Sequence, residues 1–125
     1  MLKKKILIID DEESFCRLVK LNLEETGKYE VRAETQSVNA IRAVKEFKPD
    51  LILLDIVMPN VDGGEISQKL KSDEAFKNIP IVFLTAIVTE REVSDQKGII
   101  AGRPFLAKPV PLDKLIYCIE QNTLA

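Results

Sequence analysis

The sequence predicts an α/β fold in which five strand–helix units build a parallel sheet, and two observations carry this prediction. Short apolar runs occur at residues 6–9, 51–54, 81–84 and 105–107, and each run is continuous rather than alternating. Continuous runs of this length are typical of strands that are covered on both faces. Segments with helical spacing of apolar residues separate the runs, and this alternation indicates a parallel sheet with right-handed crossovers.

The N-terminal half supplies one further strand and two helices. Residues 29–33 alternate between apolar and polar side chains, which suits a strand at the edge of the sheet. Helices are expected over residues 13–26 and 37–47, where apolar side chains such as Phe15 recur at helical spacing. Gly27 follows the first helix at the position where a left-handed residue commonly ends one.

Three more helices are expected in the C-terminal half. Ile66 and Leu70 mark the third helix. Thr89 and Glu92 form a capping box that would open the fourth. The fifth follows Pro111 and carries apolar residues at i, i+3, i+4 and i+7 spacing.

Composition limits the class of protein. The chain has 125 residues, of which 46% are hydrophobic and 30% charged, and its formal net charge is −2. We therefore expect a single domain over residues 1–125, with no output domain in this chain. The nearly balanced charge argues against direct binding of nucleic acid. No apolar run approaches the roughly 18 residues that cross a bilayer, so we expect a cytoplasmic protein without membrane contact.

The absence of histidine from the sequence excludes a Ser-His-Asp triad and a His-ligated zinc site. Cys16 and Cys118 are too far apart in sequence for a CxxC metal or redox motif. We interpret both as reduced core residues, with a regulatory or partner-facing thiol as the alternative.

Polar side chains follow four of the predicted strands. Asp10 and Asp11 follow the first strand, Asp55 the third, Thr85 the fourth and Lys108 the fifth. The carboxyl ends of parallel strands meet at one edge of the sheet, where ligands of such folds bind. Taken singly, each residue is better explained as a turn, cap or solvated surface residue. Their occurrence together, in this order, predicts a site.

Phosphoryl transfer is the chemistry that this set of groups favours. Three carboxylates in one pocket repel one another unless a cation neutralises them, and Mg²⁺ prefers such oxygen ligands. One carboxylate could then attack phosphorus as a nucleophile. The metal and Lys108 would stabilise charge on the transferred oxygens, and Thr85 could donate a hydrogen bond to one of them.

Over about residues 4 to 122, the chain resembles the receiver domains of two-component response regulators. The resemblance lies in four stretches in matching order, residues 8–12, 51–63, 79–86 and 105–109. It implies a flavodoxin-like (βα)5 three-layer sandwich whose five-stranded parallel sheet has the order 2-1-3-4-5. It further implies that the chain is a signalling phosphoprotein, a phosphoacceptor with autocatalytic phosphorylation and dephosphorylation rather than a turnover enzyme.

The resemblance also implies a role for each residue of the site. Asp55 matches the phosphoacceptor. Asp11 matches a direct Mg²⁺ ligand, Asp10 a ligand acting mainly through metal-bound water, and the main-chain carbonyl of Val57 the third protein ligand. Lys108 matches the residue that pairs with the phosphoryl group, and the peptide bond that follows it is expected to be cis.

Switching and partners are implied in the same way. Thr85 and Phe105 match the hydroxyl and the aromatic ring that move on phosphorylation. The phosphoryl donor would be a sensor histidine kinase or a histidine phosphotransfer protein. An output partner would bind the face formed by the fourth predicted helix, the fifth predicted strand and the fifth predicted helix. A monomer or a weak homodimer is expected, with no direct nucleic-acid contact.

Two other functions remain as alternatives. A small Asp-nucleophile, Mg²⁺-dependent phosphatase would need an acid two residues after the nucleophile, where this chain has Val57. A pseudo-receiver that only binds partners would have a broken acid pocket, whereas all the expected residues are present here.

Some positions depart from the family pattern. Arg103 and Pro104 replace an acidic pair before the fifth predicted strand, which leaves the register of the fourth predicted helix open. Val57 and Ile87 are apolar where they would overhang the phosphoryl group, so we predict a long-lived aspartyl phosphate. We also predict that removing Asp10 raises the stability of the metal-free protein, because one like charge leaves the pocket.

Overall fold

A computed structural model describes residues 2–58, 63–86, 99–100 and 103–123. Its strands form one sheet in the order β2-β1-β3-β4-β6-β5. They are β1 (Lys4–Ile9), β2 (Tyr29–Glu34), β3 (Leu51–Asp55), β4 (Ile81–Thr85), β5 (Ile99–Ile100) and β6 (Arg103–Ala107). The predicted order 2-1-3-4-5 is confirmed, with β6 as the fifth predicted strand. All pairings among these five strands are parallel.

The short strand β5 was not predicted. It pairs with β6 in antiparallel orientation, with Ile99 opposite Pro104 and Ile100 opposite Arg103. A two-residue strand gives no periodic signal in a sequence, so only its pairing partner identifies it. The fourth predicted helix, including its capping box, lies outside the residues that the structure describes.

Helices cover both faces of the sheet, and the described ones lie where the apolar spacing predicts them. They are α1 (Glu13–Glu25), α2 (Ala40–Phe47), α3 (Gly63–Lys71) and the C-terminal helix (Leu112–Asn122). A short 3₁₀ turn, Ser37–Asn39, precedes α2 and replaces the first turn of the predicted helix. Gly27 has a φ of 79°, as expected for the residue after a helix end.

The core forms two layers, one on each side of the sheet. In β1, Ile6 and Ile8 join the layer beneath α1 and the C-terminal helix, whereas Leu7 and Ile9 join the layer beneath α2 and α3. All four side chains are fully buried. Coverage on both faces explains why the apolar run is continuous, and it confirms the three-layer arrangement.

Strand register brings the predicted site residues to one edge. Ile9 pairs with Leu54, so Asp10 and Asp55 are the next residues on neighbouring strands. Thr85 pairs with Ala107, and Lys108 follows directly. In the described part of the chain, no helix has both the length and the apolar character needed to cross a membrane.

Candidate functional site at the carboxyl edge of the sheet

Asp10 lies in the turn between β1 and α1 and is fully buried. Its Oδ1 accepts a hydrogen bond of 2.9 Å from the backbone N–H of Glu12, which directs the chain into α1. Its main-chain carbonyl accepts one of 3.3 Å from the thiol of Cys16. Burial, and then the carboxylate of Asp10, raise the pKa of that thiol to about 12. Cys16 is therefore an unreactive core residue beside the site.

Asp55 ends β3 and is only 4% exposed. Its Oδ1 accepts a hydrogen bond of 3.2 Å from the backbone N–H of Val57, an Asx-type turn that orients the carboxylate. On the other side of the turn, the N–H of Gly63 donates to the carbonyl of Ile56 at 2.9 Å. The start of α3 thus packs directly against the end of β3.

Lys108 carries the positive charge of the site, and its side chain is 8% exposed. Its Nζ lies 2.6 Å from Asp10 Oδ2, 2.8 Å from Glu12 Oε1 and 3.6 Å from Asp55 Oδ2. The ring of Phe15 lies beneath the same ammonium, 4.6 Å from ring centroid to Nζ. The backbone N–H of Lys108 donates to the carbonyl of Thr85 at 2.8 Å, and the peptide bond to Pro109 is cis, as the resemblance implied.

Burial and charge shift the pKa values of the two opposed groups. Burial, followed by repulsion from Asp10, raises the pKa of Asp55 from 3.8 to about 6, although Lys108 acts in the opposite direction. For Lys108, burial disfavours the charged form, but the carboxylates of Asp10 and Glu12 outweigh it and raise the pKa. Lys108 is therefore charged at neutral pH. The ionised form of Asp55 is disfavoured, and a second cation beside it would relieve this.

The acidic residues fit a hard divalent cation. Carboxylate oxygens of Asp10, Asp11 and Asp55 all lie within 4.8 Å of one another. Asp10 Oδ2 is buried and lies 2.6 Å from Lys108 Nζ, an ion pair that leaves acceptor capacity on this oxygen within the described residues. A buried carboxylate oxygen with unused acceptor capacity is suited to a metal or to metal-bound water.

The remaining predicted site residues lie where the strand order places them. Thr85 is fully buried at the end of β4, and Phe105 is buried on β6 opposite Phe83 of the neighbouring strand. The Val57 side chain is 55% exposed beside Asp55, whereas Ile87 lies outside the described residues. Sequence analysis missed two contacts of Lys108, those of Glu12 and Phe15. Glu12 ends one of the four stretches of the resemblance, but the resemblance implied no role for it, and Phe15 resembles any apolar residue of a helix.

The fold defines a three-layer α/β domain with a parallel sheet, and its acidic cluster lies at the carboxyl edge of that sheet. Residues 6–120 match the family model for the response regulator receiver domain. The chain therefore belongs to the response regulator receiver domain family.

Curated relatives and solved structures agree with this assignment. The chain is 36% identical to "Response regulator Rre1" of Synechocystis over 96% of the chain and 51% of that protein. It is 31% identical to "Polar-differentiation response regulator DivK" of Brucella ovis, covering 94% of each. A "putative response regulator" from Chloroflexus aurantiacus has a TM-score of 0.81 at 25% identity, covering 98% of each chain. The chain spans about half the length of the first curated relatives, among them the "DNA-binding dual master transcriptional regulator RpaA" of Synechocystis, at 46%.

Proposed function

We propose that this chain accepts a phosphoryl group on Asp55 in a Mg²⁺-dependent reaction. The observation that supports this most directly is the convergence of three carboxylates and the Lys108 ammonium at one edge of the sheet. The donor is the phosphohistidine of a sensor histidine kinase or of a histidine phosphotransfer protein. An Asp55 oxygen forms a bond to phosphorus while the phosphorus–nitrogen bond breaks, and the histidine nitrogen leaves with the electron pair.

Two positive groups, a metal ion and Lys108, neutralise the negative charge of the site in this proposal. Asp10, Asp11, Asp55 and the main-chain carbonyl of Val57 would hold Mg²⁺, and the bound ion would neutralise charge on the carboxylates and on the phosphoryl oxygens. Lys108 pairs with a phosphoryl oxygen, because its ammonium already lies within 3.6 Å of Asp55 Oδ2.

The phosphorylated state is read by partner proteins through a change of surface. Thr85 and Phe105 lie on the adjacent strands β4 and β6, so a shift of the Thr85 hydroxyl toward the phosphoryl group changes the packing around Phe105. The responding face comprises β6, the C-terminal helix and the fourth predicted helix. We propose that the receiver acts as a monomer or a weak homodimer and does not itself contact nucleic acid.

A phosphoacceptor agrees better with the geometry than a turnover phosphatase does. The residue two positions after Asp55 is Val57, whose apolar and half-exposed side chain cannot donate a proton to a leaving group. Phosphoryl transfer onto Asp55 therefore ends in a stored phosphoryl group.

Incubation with acetyl phosphate and Mg²⁺, followed by intact-mass measurement, tests the proposal. Wild-type protein should gain the mass of one phosphoryl group, whereas Asp55→Asn and protein treated with a chelator should not. Asp113→Asn, which removes an exposed carboxylate at the first turn of the C-terminal helix, is the matched control and should behave as wild type. Modification of Asp55→Asn to the same extent as wild type would contradict the proposal.

A further inference from the structure

The Lys108 ammonium is held from the β1–α1 side of the site. Its two shortest contacts, of 2.6 and 2.8 Å, are with Asp10 and Glu12, and both acids precede α1. Asp55 Oδ2 is farther away, at 3.6 Å. A phosphoryl group on Asp55 would therefore meet an ammonium that is already paired with two other carboxylates.

Glu12 is suited to release the ammonium. Its backbone is fixed, since its N–H donates to Asp10 Oδ1, but its side chain is 55% exposed. A half-exposed carboxylate is hydrated again when its ion pair opens, so opening the pair costs little free energy. Asp10 is fully buried, so water cannot hydrate its carboxylate in the same way if its ion pair with Lys108 opens.

Phe15 contacts the ammonium through a different kind of interaction. The aromatic face lies 4.6 Å from Nζ, within the range of a cation–π contact. Such a contact does not demand a specific N–H direction, so an ammonium can shift across the ring while it stays stabilised. The half-buried ring also limits how far the Lys108 side chain can move toward solvent.

We propose that Glu12 is a counter-ion that competes with the phosphoryl group for Lys108, and that Phe15 is the positioning residue on which the ammonium moves between them. This inference rests on the proposed function and specifies its regulation. Glu12 holds Lys108 in the unphosphorylated state and slows the reaction, whereas Phe15 keeps Lys108 within reach of Asp55 and speeds it.

The rate of phosphorylation by acetyl phosphate tests the role of Glu12. In that reaction an Asp55 oxygen bonds to phosphorus and acetate leaves with the electron pair of the broken phosphorus–oxygen bond. Glu12→Gln should be phosphorylated about threefold faster than wild type, as expected for loss of a half-exposed ion pair. Glu13→Gln is the matched control, because it removes the same charge one residue away, where no ion pair with Lys108 occurs among the described residues. Equal acceleration by both substitutions would reveal a general effect of charge and overturn the role of Glu12.

Two substitutions of Phe15 separate the aromatic face from apolar bulk. Phe15→Leu keeps an apolar side chain and should slow phosphorylation by about fivefold, whereas Phe15→Trp keeps a π face and should stay within about twofold of wild type. Equal rates for the two variants would overturn the role of Phe15.

NMR of the metal-free protein supplies a readout that does not depend on activity. The ε-methylene protons of Lys108, assigned by their loss in Lys108→Arg, should be shifted upfield by the ring. Phe15→Leu should abolish this shift, and Glu12→Gln should change it while Glu13→Gln leaves it unaltered. An unshifted wild-type signal would overturn the inference. Folded wild type that takes up no phosphoryl group would overturn the proposed function. Normal uptake together with an unshifted Lys108 signal would overturn only this inference.

Discussion

Asp55 is a buried carboxyl whose ionisation opposes folding in the metal-free protein. Its pKa in the folded state is raised from 3.8 to about 6, chiefly by burial and then by Asp10. A carboxyl with a raised folded pKa binds its proton more tightly in the folded state, so its contribution to stability is present at low pH and is lost as the pH rises through the folded value. In metal-free buffer, the unfolding free energy of wild type should therefore fall between about pH 4 and pH 6.

Asp55→Asn should remove this pH dependence and raise metal-free stability at pH 7 by about 2 kcal/mol. Urea denaturation across a pH series measures both effects. Glu30→Gln, an exposed acid on β2, serves as the control and should leave the slope between pH 4 and pH 6 intact. A stability that is flat over this range in wild type would contradict the prediction.

The structure predicts that removing the carboxylate of Asp55, rather than that of Asp10, gives the larger gain in stability of the metal-free protein. The sequence predicts that removal of Asp10 relieves repulsion among the acids. Asp10, however, forms the 2.6 Å ion pair with Lys108 and accepts the 2.9 Å hydrogen bond from the N–H of Glu12. Removing it also deletes these contacts, so the larger gain is expected at Asp55, where Lys108 is 3.6 Å away.

We predict that the side chain of Val57 prolongs the lifetime of the phosphoryl group on Asp55. Its apolar side chain lies beside Asp55 and cannot orient an attacking water, so Val57→Asn should lose the phosphoryl group about tenfold faster than wild type. The time course of intact mass after removal of acetyl phosphate measures this rate. Val38→Asn makes the same change at another exposed valine and should not alter the rate. Wild-type loss as fast as that of Val57→Asn would contradict the prediction.

At the scale of elements, α1 protects the open edge of the sheet. Strand β2 is an edge strand, and side chains of α1 bond the outward backbone groups of Val31. Lys20 Nζ donates to its carbonyl at 2.7 Å, and Glu24 Oε2 accepts from its N–H at 3.0 Å. The bond from Val31 N–H also lowers the pKa of Glu24. Unpaired edge groups otherwise offer a template for pairing with another chain.

Glu24→Ala should therefore expose the Val31 amide. Its hydrogen exchange should become faster, and the protein should lose about 1 kcal/mol of stability with the hydrogen bond. Exchange measured by NMR or mass spectrometry tests this, with Glu25→Ala, an exposed neighbour on α1, as control. Unchanged protection of Val31 in Glu24→Ala would contradict the role of this contact.

The close approach of α3 to β3 depends on Gly63. A Cβ at this position would lie 2.2 Å from the Asp55 carbonyl oxygen and 2.9 Å from the Ile56 Cα. These are backbone atoms, so Gly63→Ala must displace the turn that carries Asp55. We expect a loss of about 2 kcal/mol or more in urea denaturation, whereas Gly64→Ala, at the exposed next position, should be neutral or stabilising. Equal stability of the two variants would contradict this account.

At the scale of the whole molecule, Mg²⁺ should couple the site to global stability. Binding to the folded state alone stabilises it by about 1.4 kcal/mol when Mg²⁺ is at tenfold its dissociation constant. The melting temperature of wild type should rise with Mg²⁺ but not with NaCl at matched ionic strength. Asp11→Asn, which removes one carboxylate of the cluster, should lose most of the rise. A rise of the same size with NaCl would contradict specific binding.

Much of the architecture could be predicted because local patterns report local burial. The continuous run of β1 reflects coverage on both faces, and the alternation in β2 reflects its edge position. The apolar spacing after Pro111 corresponds to the C-terminal helix. The strand β5 escaped prediction because its existence depends on pairing with β6 rather than on its own two residues. The 3₁₀ turn before α2 escaped as well, since three residues are too few to distinguish a period of about 3.0 residues from one of about 3.6.

Periodicity and residue identity were enough to locate the strands along the chain and to name the chemical groups at their carboxyl ends, whereas the spatial order of the strands was implied by the family resemblance. How those groups pair with one another follows from the packing of the folded chain. Lys108 contacts Glu12 across 96 positions of the chain, and it lies nearer to Asp10 than to Asp55. Distances of this kind depend on how β1, β3, β4 and β6 assemble in the sheet, and no local sequence pattern records them.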